Sequence, residues 1–183
     1  MRELSLNVLD ITENSVSAGA SLIEIDILEN TEDKTLSVTI RDNGRGMDGE
    51  TLRNVRDPFY TTRTTRKVGM GIPLFKMAAE MTGGQLEIES QVGVGTTISA
   101  QFRTDSIDFT PLGDIDATIL TLITMHEEID FIYRLSKDEN EFVLKTEELK
   151  AILGGISFND MDVRAWLKDY ISEQSQIIRG GVT

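Results

Sequence analysis

The chain has 183 residues, 39% of them apolar and 27% charged, which is typical of a soluble globular protein with one domain or one domain and a small appendage. Its net charge of −13 disfavours nucleic-acid partners, which require a basic surface, and the absence of cysteine excludes disulfides and thiolate metal sites. No apolar run is long enough to cross a bilayer and no export signal is visible, so we expect a cytoplasmic protein without a membrane partner.

Apolar residues that recur at every second position predict strands, and those that recur about every 3.6 positions predict helices. In the first 104 residues this rule predicts helices over 3–18, 48–55 and 72–81. The predicted strands are 22–28, 35–42, 86–90 and 97–102. Short turns join the first two strands and the last two, so each of these pairs is expected to be antiparallel.

The first predicted helix carries two stripes of different character. Leu4, Val8 and Ile11 form an apolar stripe that should face the core. Asp10 and Asn14 lie four residues apart on a polar stripe. Both of these side chains should therefore point from the same face of the helix.

A basic cluster extends from the second predicted helix into the segment that follows it. The segment 57–68 has little periodicity and is predicted to be a mobile loop. Within or just before it lie five basic residues and one acidic residue: Arg53, Arg56, Arg63, Arg66, Lys67 and Asp57. In an acidic chain such a cluster is either a site for a local anionic ligand or an ordinary solvated face, and charge alone does not decide between them.

Beyond residue 104 the pattern changes to a polar connector, 105–113, and then to a small α+β region, about 75 residues in all. Its predicted helices are 115–125, 147–153 and 162–172, and its predicted strands are 130–135 and 141–145. The last helix should turn apolar residues inward, and 173–183 should fray. The residues expected to face inward are Val163, Trp166, Leu167, Tyr170 and Ile171. Because the region is small, we expect it to lean on the first part.

Glycines follow the second strand, open the third helix and form the turn of the last hairpin. Asp42 ends a strand, and Gly44 and Gly46 after it would let a ligand approach the backbone closely, although Asp-Asn-Gly is also a common turn sequence. Gly69 and Gly71 stand at the start of the third helix, where backbone amides can stabilise phosphate charge. No G-x-x-x-x-G-K-[ST] motif occurs, which excludes a P-loop protein.

Taken together, these segments resemble the GHKL superfamily of DNA gyrase-type ATPases, heat-shock chaperone ATPases, histidine kinases and mismatch-repair ATPases. The resemblance covers residues 3–103 and five motifs in order: Glu13-Asn14-Ser15, Asp42 to Met47, Asp57 to Arg63, Val68 to Leu74 and Gly93 to Thr97. It implies the Bergerat fold, which is an α+β two-layer sandwich. The ATP-binding domain would then span 1–104, with the small appendage over 105–183.

The resemblance also implies roles for individual residues. Asn14 would hold Mg²⁺ through its amide oxygen, a ligand type that magnesium accepts. Asp42 would accept a hydrogen bond from the adenine amino group, since an ionised carboxylate only accepts. The other residues implied to contact ATP are Gly44, Gly46, Met47, Arg63, Gly69, Gly71 and Thr96. Asp10 stands where GHKL hydrolases and anti-sigma kinases commonly carry a catalytic glutamate, and its shorter side chain leaves its reach as a general base open.

Three functions are compatible with these motifs. The first is a stand-alone protein kinase, similar to anti-sigma-factor or histidine kinases, that phosphorylates a partner protein supplied in trans. The second is a nucleotide-sensing module with little turnover. The third is a slow gyrase-type ATPase, which usually needs larger transducer domains than 105–183 would provide. A homodimer is compatible with all three.

His126 is the chain's one histidine, and it offers two interpretations. His126-Glu127 faintly resembles a phosphoacceptor motif, but the Arg-Thr-Pro that usually follows is absent, and the pair lies after the ATP-binding segment instead of before it. A histidine at a helix end is the plainer interpretation.

Overall fold

A computed structural model of the chain describes residues 3–56 and 71–180. Within these residues the helices are α1 (Leu4–Ser17), α2 (Gly49–Arg56), α3 (Gly71–Met81), α4 (Ile115–Met125), α5 (Thr146–Leu153) and α6 (Met161–Arg179). The strands are β1 (Leu22–Asn30), β2 (Thr35–Asp42), β3 (Gln85–Gln91), β4 (Gly95–Arg103), β5 (Asp130–Lys137) and β6 (Asn140–Lys145). Each predicted helix and strand is confirmed, and most ends shift by only one or two residues.

The six strands form one sheet in the order β3-β4-β2-β1-β5-β6. Only the β1–β5 pair is parallel, and the other four neighbouring pairs are antiparallel. Ile25 lies opposite Ile40 on β2 and opposite Tyr133 on β5, and Ile40 lies opposite Ile98 on β4. All four side chains are buried, so they share the face of the sheet that the helices cover.

The helices cover that face and leave the other face polar. Leu4, Val8 and Ile11 of α1 are buried as predicted, and so is the inward face of α4. On the opposite face of the sheet, Glu24 and Arg41 form an ion pair across β1 and β2 at 3.2 Å. The molecule is therefore an α+β two-layer sandwich, which confirms the predicted fold class.

Residues after 104 continue the same sheet. β5 adds to the free side of β1 in parallel, over eight residue pairs from Leu22–Asp130 to Glu29–Lys137. The connector that precedes α4 also binds the start of α1, since the amides of Leu4 and Ser5 donate to the carbonyls of Pro111 and Leu112 at 3.0 and 2.8 Å. The division into two parts at residue 104 stays a prediction, and one sheet runs through both parts.

The structure of the last helix, α6, differs from the prediction in its length and in the position of Trp166. α6 continues to Arg179 and does not fray after 172, because Ser175 and Ile178 are buried against the rest of the fold. Trp166 was expected to face inward, but 49% of its surface is exposed. Its ring stacks on Tyr170 with centroids 5.2 Å apart, and this stacking holds it at the surface instead of in the core.

Candidate functional site

Asp42 is the last residue of β2, and its carboxylate is held from two sides. Oδ2 accepts a hydrogen bond from the hydroxyl of Ser15 on α1 at 2.6 Å, and Oδ1 accepts one from the amide of Gly44 at 2.9 Å. Ser15 is buried and Asp42 is half-buried. Because a carboxylate offers about four acceptor positions, these two bonds orient it and use only part of its capacity.

The loop that follows β2 lies close against α1 because it contains glycine. Gly44 is buried, and a β-carbon there would lie 2.9 Å from both the β-carbon and the carbonyl oxygen of Ala18. The amide of Arg45 donates to the same carbonyl at 3.0 Å. Gly46 has a φ of 68°, and a β-carbon there would collide with the carbonyl oxygen of Gln91. The loop conformation therefore depends on both glycines.

The β3–β4 hairpin borders the end of β2 on its other side. Thr96 lies opposite Asp42 in the β2–β4 register, and its hydroxyl is 2.8 Å from that of Ser90. The Ser90 hydroxyl also accepts the amide of Met47 at 2.8 Å, which ties the glycine loop to the hairpin. Gly95 has a φ of 138°, and a β-carbon there would collide with the carbonyl oxygen of Asp42.

Asp10 and Gly71 meet where α1 contacts the first residue of α3. A β-carbon at Gly71 would lie 3.0 Å from the β-carbon of Asp10, so glycine permits this close approach. Asp10 is exposed, and Asn14 follows it by about one turn and is half-buried. The first amides of a helix lack intrahelical partners and carry partial positive charge, so this end of α3 favours an anionic group.

α1 joins these two groups of predicted site residues. Asp42, Gly44, Met47 and Thr96 lie around the end of β2, and Asp10 and Gly71 lie at the α1–α3 contact. Asn14 lies between them in the chain, next to the Ser15 that bonds Asp42. Arg63 and Gly69 fall outside the described residues, so their roles stay predictions.

Ser15 and Ser90 each bond another predicted site residue or the loop that carries it, and the motifs do not predict these contacts. Ser15 orients Asp42 from α1, and Ser90 links the glycine loop to the hairpin. A weak signal for Ser90 exists in the sequence, because the glycine turn sets the hairpin register that places it opposite Thr96. No comparable local signal connects Ser15 with Asp42, because 27 residues separate them.

His126 caps the C-terminal end of α4 and contacts α1. Its Nε2 lies 2.8 Å from Oε1 of Glu13, and its Nδ1 lies 3.8 Å from Oε1 of Glu128. Only 14% of its side chain is exposed. This agrees with the helix-end interpretation and places His126 against the residue that precedes Asn14.

Residues 1–106 match the family model of the histidine kinase-, DNA gyrase B- and HSP90-like ATPases. The chain belongs to this family. The resemblance inferred from the five motifs is thereby confirmed, and the family domain is the ATP-binding domain found in histidine kinases.

The curated relatives of this chain include sensor kinases. It is 27% identical over 94 residues to the sensor histidine kinase YvrG of Bacillus subtilis, which covers 49% of this chain and 16% of that protein. It is also 27% identical over 104 residues to the histidine protein kinase DivJ of Caulobacter vibrioides, which covers 55% of this chain and 17% of that protein. The chain thus spans less than a fifth of the length of these two relatives.

One solved structure supports the fold. The crystal structure of the N-terminal domain of a DNA repair protein aligns with a TM-score of 0.54 at 17% identity, and the alignment covers 79% of this chain and 53% of that chain. Among the residues that the structure describes, none of the helices is both long and apolar enough to cross a membrane.

The chemistry of the candidate site residues would suit a nucleotide and its metal. Asp42 presents an oriented acceptor with remaining capacity, which suits an amino group on a heterocycle. The end of α3 at Gly71 suits phosphate oxygens, since a glycine leaves its backbone approachable. Asn14 offers an amide oxygen, a ligand that Mg²⁺ accepts beside water and phosphate.

Proposed function

We propose that this chain binds Mg-ATP and transfers the γ-phosphoryl group to a partner protein. The observation that carries the proposal is the Asp42 carboxylate, which Ser15 and Gly44 orient at the strand end. The sensor histidine kinases among its relatives favour phosphoryl transfer over other uses of ATP. His126, hydrogen-bonded to Glu13 and largely buried, is poorly placed as an acceptor, so the acceptor belongs to the partner.

Each site residue has a part in this proposal. Asp42 accepts from the adenine amino group, while Thr96 and the glycine loop enclose the base. The first amides of α3 bind phosphate oxygens, and Arg63 reaches the terminal phosphate as a two-pronged donor. Asn14 holds Mg²⁺, which would neutralise phosphate charge when bound. Phosphoryl transfer then depends mainly on how these groups position the two reactants.

Asp10 is the proposed general base. It lies one helical turn before Asn14 and is exposed, so an incoming hydroxyl or imidazole of the partner can reach it. Its contact with Gly71 fixes it beside the end of α3 where phosphate would bind. A carboxylate there can accept the proton of the attacking group.

The short reach of Asp10 also favours a second candidate function, a nucleotide-sensing module. An aspartate is one methylene shorter than the glutamate that the GHKL resemblance leads us to expect at this position. If Asp10 does not reach the reacting group, ATP would bind without efficient transfer and act as a regulatory ligand.

Calorimetric titration with Mg-ATP tests the binding site. We expect Asp42→Ala to weaken ATP binding at least tenfold, and Ser15→Ala to weaken it several-fold because Asp42 loses its orientation. Glu87→Ala, an exposed acidic residue on β3, is the matched control and should bind like the wild type. Equal affinity of Asp42→Ala and wild type would reject the site.

A second experiment separates the kinase from the sensor. The full chain is incubated with ATP labelled at the γ-phosphate and a cell extract, in parallel with Asp42→Ala. Label on a discrete protein band that depends on Asp42 supports the kinase. Tight ATP binding without transferred label supports the sensor. Loss of label in Asp10→Asn with ATP affinity unchanged would assign the base.

A further inference from the structure

An exposed apolar surface with an acidic border lies on residues beyond the family domain. Met125 ends α4 and is 63% exposed, Ile156 lies between α5 and α6 and is 56% exposed, and Met161 begins α6 and is 82% exposed. Glu128 and Asp162 are exposed beside them in the chain. We call these five residues the Met125 surface.

Hydrogen bonds hold the segments of the Met125 surface together. The Glu127 carboxylate accepts the Ser157 hydroxyl at 2.6 Å and the Asn159 amide at 3.0 Å. The side-chain amide of Asn159 donates to the carbonyl of Thr124 at 2.7 Å. Phe158, between these donors, is buried in the core. The exposed apolar side chains are therefore presented by a fixed backbone, which lowers the entropy cost of binding.

The border of this surface is strongly acidic. Glu127, Glu128, Asp160 and Asp162 lie within or beside it, and Arg164 is the nearest basic residue along α6. Residues 105–183 as a whole carry 7 Lys and Arg against 16 Asp and Glu. A second copy of the chain would bring the same acidic border against this one, so like-charge repulsion disfavours self-association here.

The Met125 surface is connected to the ATP site through His126. This residue follows Met125 directly, and its Nε2 lies 2.8 Å from Glu13 Oε1. Glu13 directly precedes Asn14 on α1, so the His126–Glu13 contact links the segment that carries Met125 to the helix that carries the proposed magnesium ligand.

We propose that the Met125 surface is the docking site for a basic segment with apolar anchors in the partner protein that receives the phosphoryl group. Methionine side chains adapt to varied apolar partners, and the acidic border selects Lys and Arg around those anchors. The inference rests on the proposed function, because it names the surface by which the acceptor protein is held.

The test uses two synthetic amphipathic peptides of equal length, one alternating leucine with lysine and one with glutamate. Each carries a fluorophore, and anisotropy is followed as the full chain is added. We expect the basic peptide to bind, and we expect its affinity to fall as the salt concentration rises. The double variant Met125→Glu, Ile156→Glu should lower the affinity for the basic peptide at least tenfold. Met161→Glu alone should lower it several-fold, and this single variant keeps the test valid if the double variant does not fold.

Ile107→Glu is the matched control, because Ile107 is 99% exposed in the connector after β4 and lies outside the surface. It should leave peptide binding unchanged. Equal binding by the double variant and the wild type, equal binding of the acidic peptide, or no binding of the basic peptide would each overturn the proposal. Preferential binding of the chain to anionic lipid vesicles would overturn it as well.

A photo-crosslinking amino acid at position 156 in cells identifies the occupant. A cross-link to a basic, apolar-containing segment of a protein that also receives label from ATP supports the proposal, and a cross-link to a second copy overturns it. Mg-ATP titration of the double variant separates the two proposals. Unchanged ATP affinity with lost docking shows that the ATP site functions independently of the surface.

Discussion

Gly95 shows how much of the site depends on a missing side chain. Its φ of 138° is one that other residues rarely adopt, and its α-carbon faces the carbonyl of Asp42 too closely for a β-carbon. The hairpin can therefore lie against the end of β2 only with glycine at this position. The same contact places Thr96 opposite Asp42.

We predict that Gly95→Ala destabilises the chain by about 2–4 kcal/mol, because it adds a collision to an unfavourable backbone conformation. Urea unfolding followed by circular dichroism measures the effect. Gly93→Ala is the matched control in the same turn. Its φ is 77° and a β-carbon would meet nothing within 4 Å, so only backbone strain of about 1 kcal/mol is expected. Similar losses for both variants would contradict the close-contact explanation.

The sequence predicts the types of the site residues better than it predicts their contact partners. Asp42, Gly44 and Thr96 stand out because turn glycines and an acidic strand end form recognisable motifs. The hydrogen bond from Ser15 to Asp42 is not predictable in that way, since it depends on how α1 lies across the sheet. The roles of Arg63 and Gly69, which lie outside the described residues, remain predictions.

Among the elements, α4 and α6 are joined through a polar contact inside an apolar interface. The Ser175 hydroxyl of α6 donates to the carboxylate of Asp116 on α4. Burial raises the pKa of Asp116 above its usual value of 3.8, although the bond from Ser175 and the charge of Arg179 oppose this. Tyr133 lies nearby, and burial raises the pKa of its hydroxyl as well.

The raised pKa of Asp116 predicts the direction in which the free energy of unfolding changes with pH. Because the folded state holds the Asp116 proton more tightly than the unfolded state, ionising Asp116 costs stability as pH rises from 3.8 through its folded-state pKa. We predict that Asp116→Asn, which cannot ionise, gains stability relative to the wild type as pH is raised across that window. Urea unfolding at a series of pH values measures the difference.

Asp138 supplies a control of opposite sign. The backbone amide of Thr31 lowers the pKa of Asp138, so its contribution is present above 3.8 and is lost as pH falls through its folded-state pKa. Asp138→Asn should therefore lose stability relative to the wild type as pH rises. If Asp116→Asn showed the same sign as Asp138→Asn, the burial argument for Asp116 would be wrong.

The sequence predicts the helices and strands well, and it fails at the end of α6 for a physical reason. Residues 173–176 are all polar, so the local pattern indicates an exposed, fraying end. In the structure Ser175 is buried and its hydroxyl bonds Asp116 on α4. Ile178, near the end of α6, is also buried. A tertiary contact thus overrides the local pattern.

For the whole molecule, the parallel pairing of β1 with β5 decides how the two parts depend on each other. The family domain ends near residue 106, but the sheet does not. Local patterns predict neither this pairing nor its register, because the paired residues lie more than 100 positions apart, as in Ile25 and Tyr133. Strand periodicity indicates that β1 and β5 exist, and only the folded chain shows that they are neighbours.

We predict that residues 1–104 alone are unstable or associate, because removal of β5 exposes the hydrogen-bonding edge of β1 and the apolar faces beneath α4. Size-exclusion chromatography and thermal unfolding measure this. Co-expression of 105–183 as a separate chain should restore a soluble complex. A fragment 1–104 that is monomeric and unfolds cooperatively at the temperature of the full chain would show that the first part folds independently.

The same pairing has a consequence for synthesis on the ribosome. β5 emerges roughly 100 residues after β1, and at about 5–20 residues per second this leaves β1 waiting for some 5–20 seconds. During that interval the β5-facing edge of β1 carries backbone N–H and C=O groups without their native partners. These groups can pair with another polypeptide. Glu24 and Asp26 share one face of β1, and we expect their charge to disfavour premature pairing with other chains until β5 has been translated.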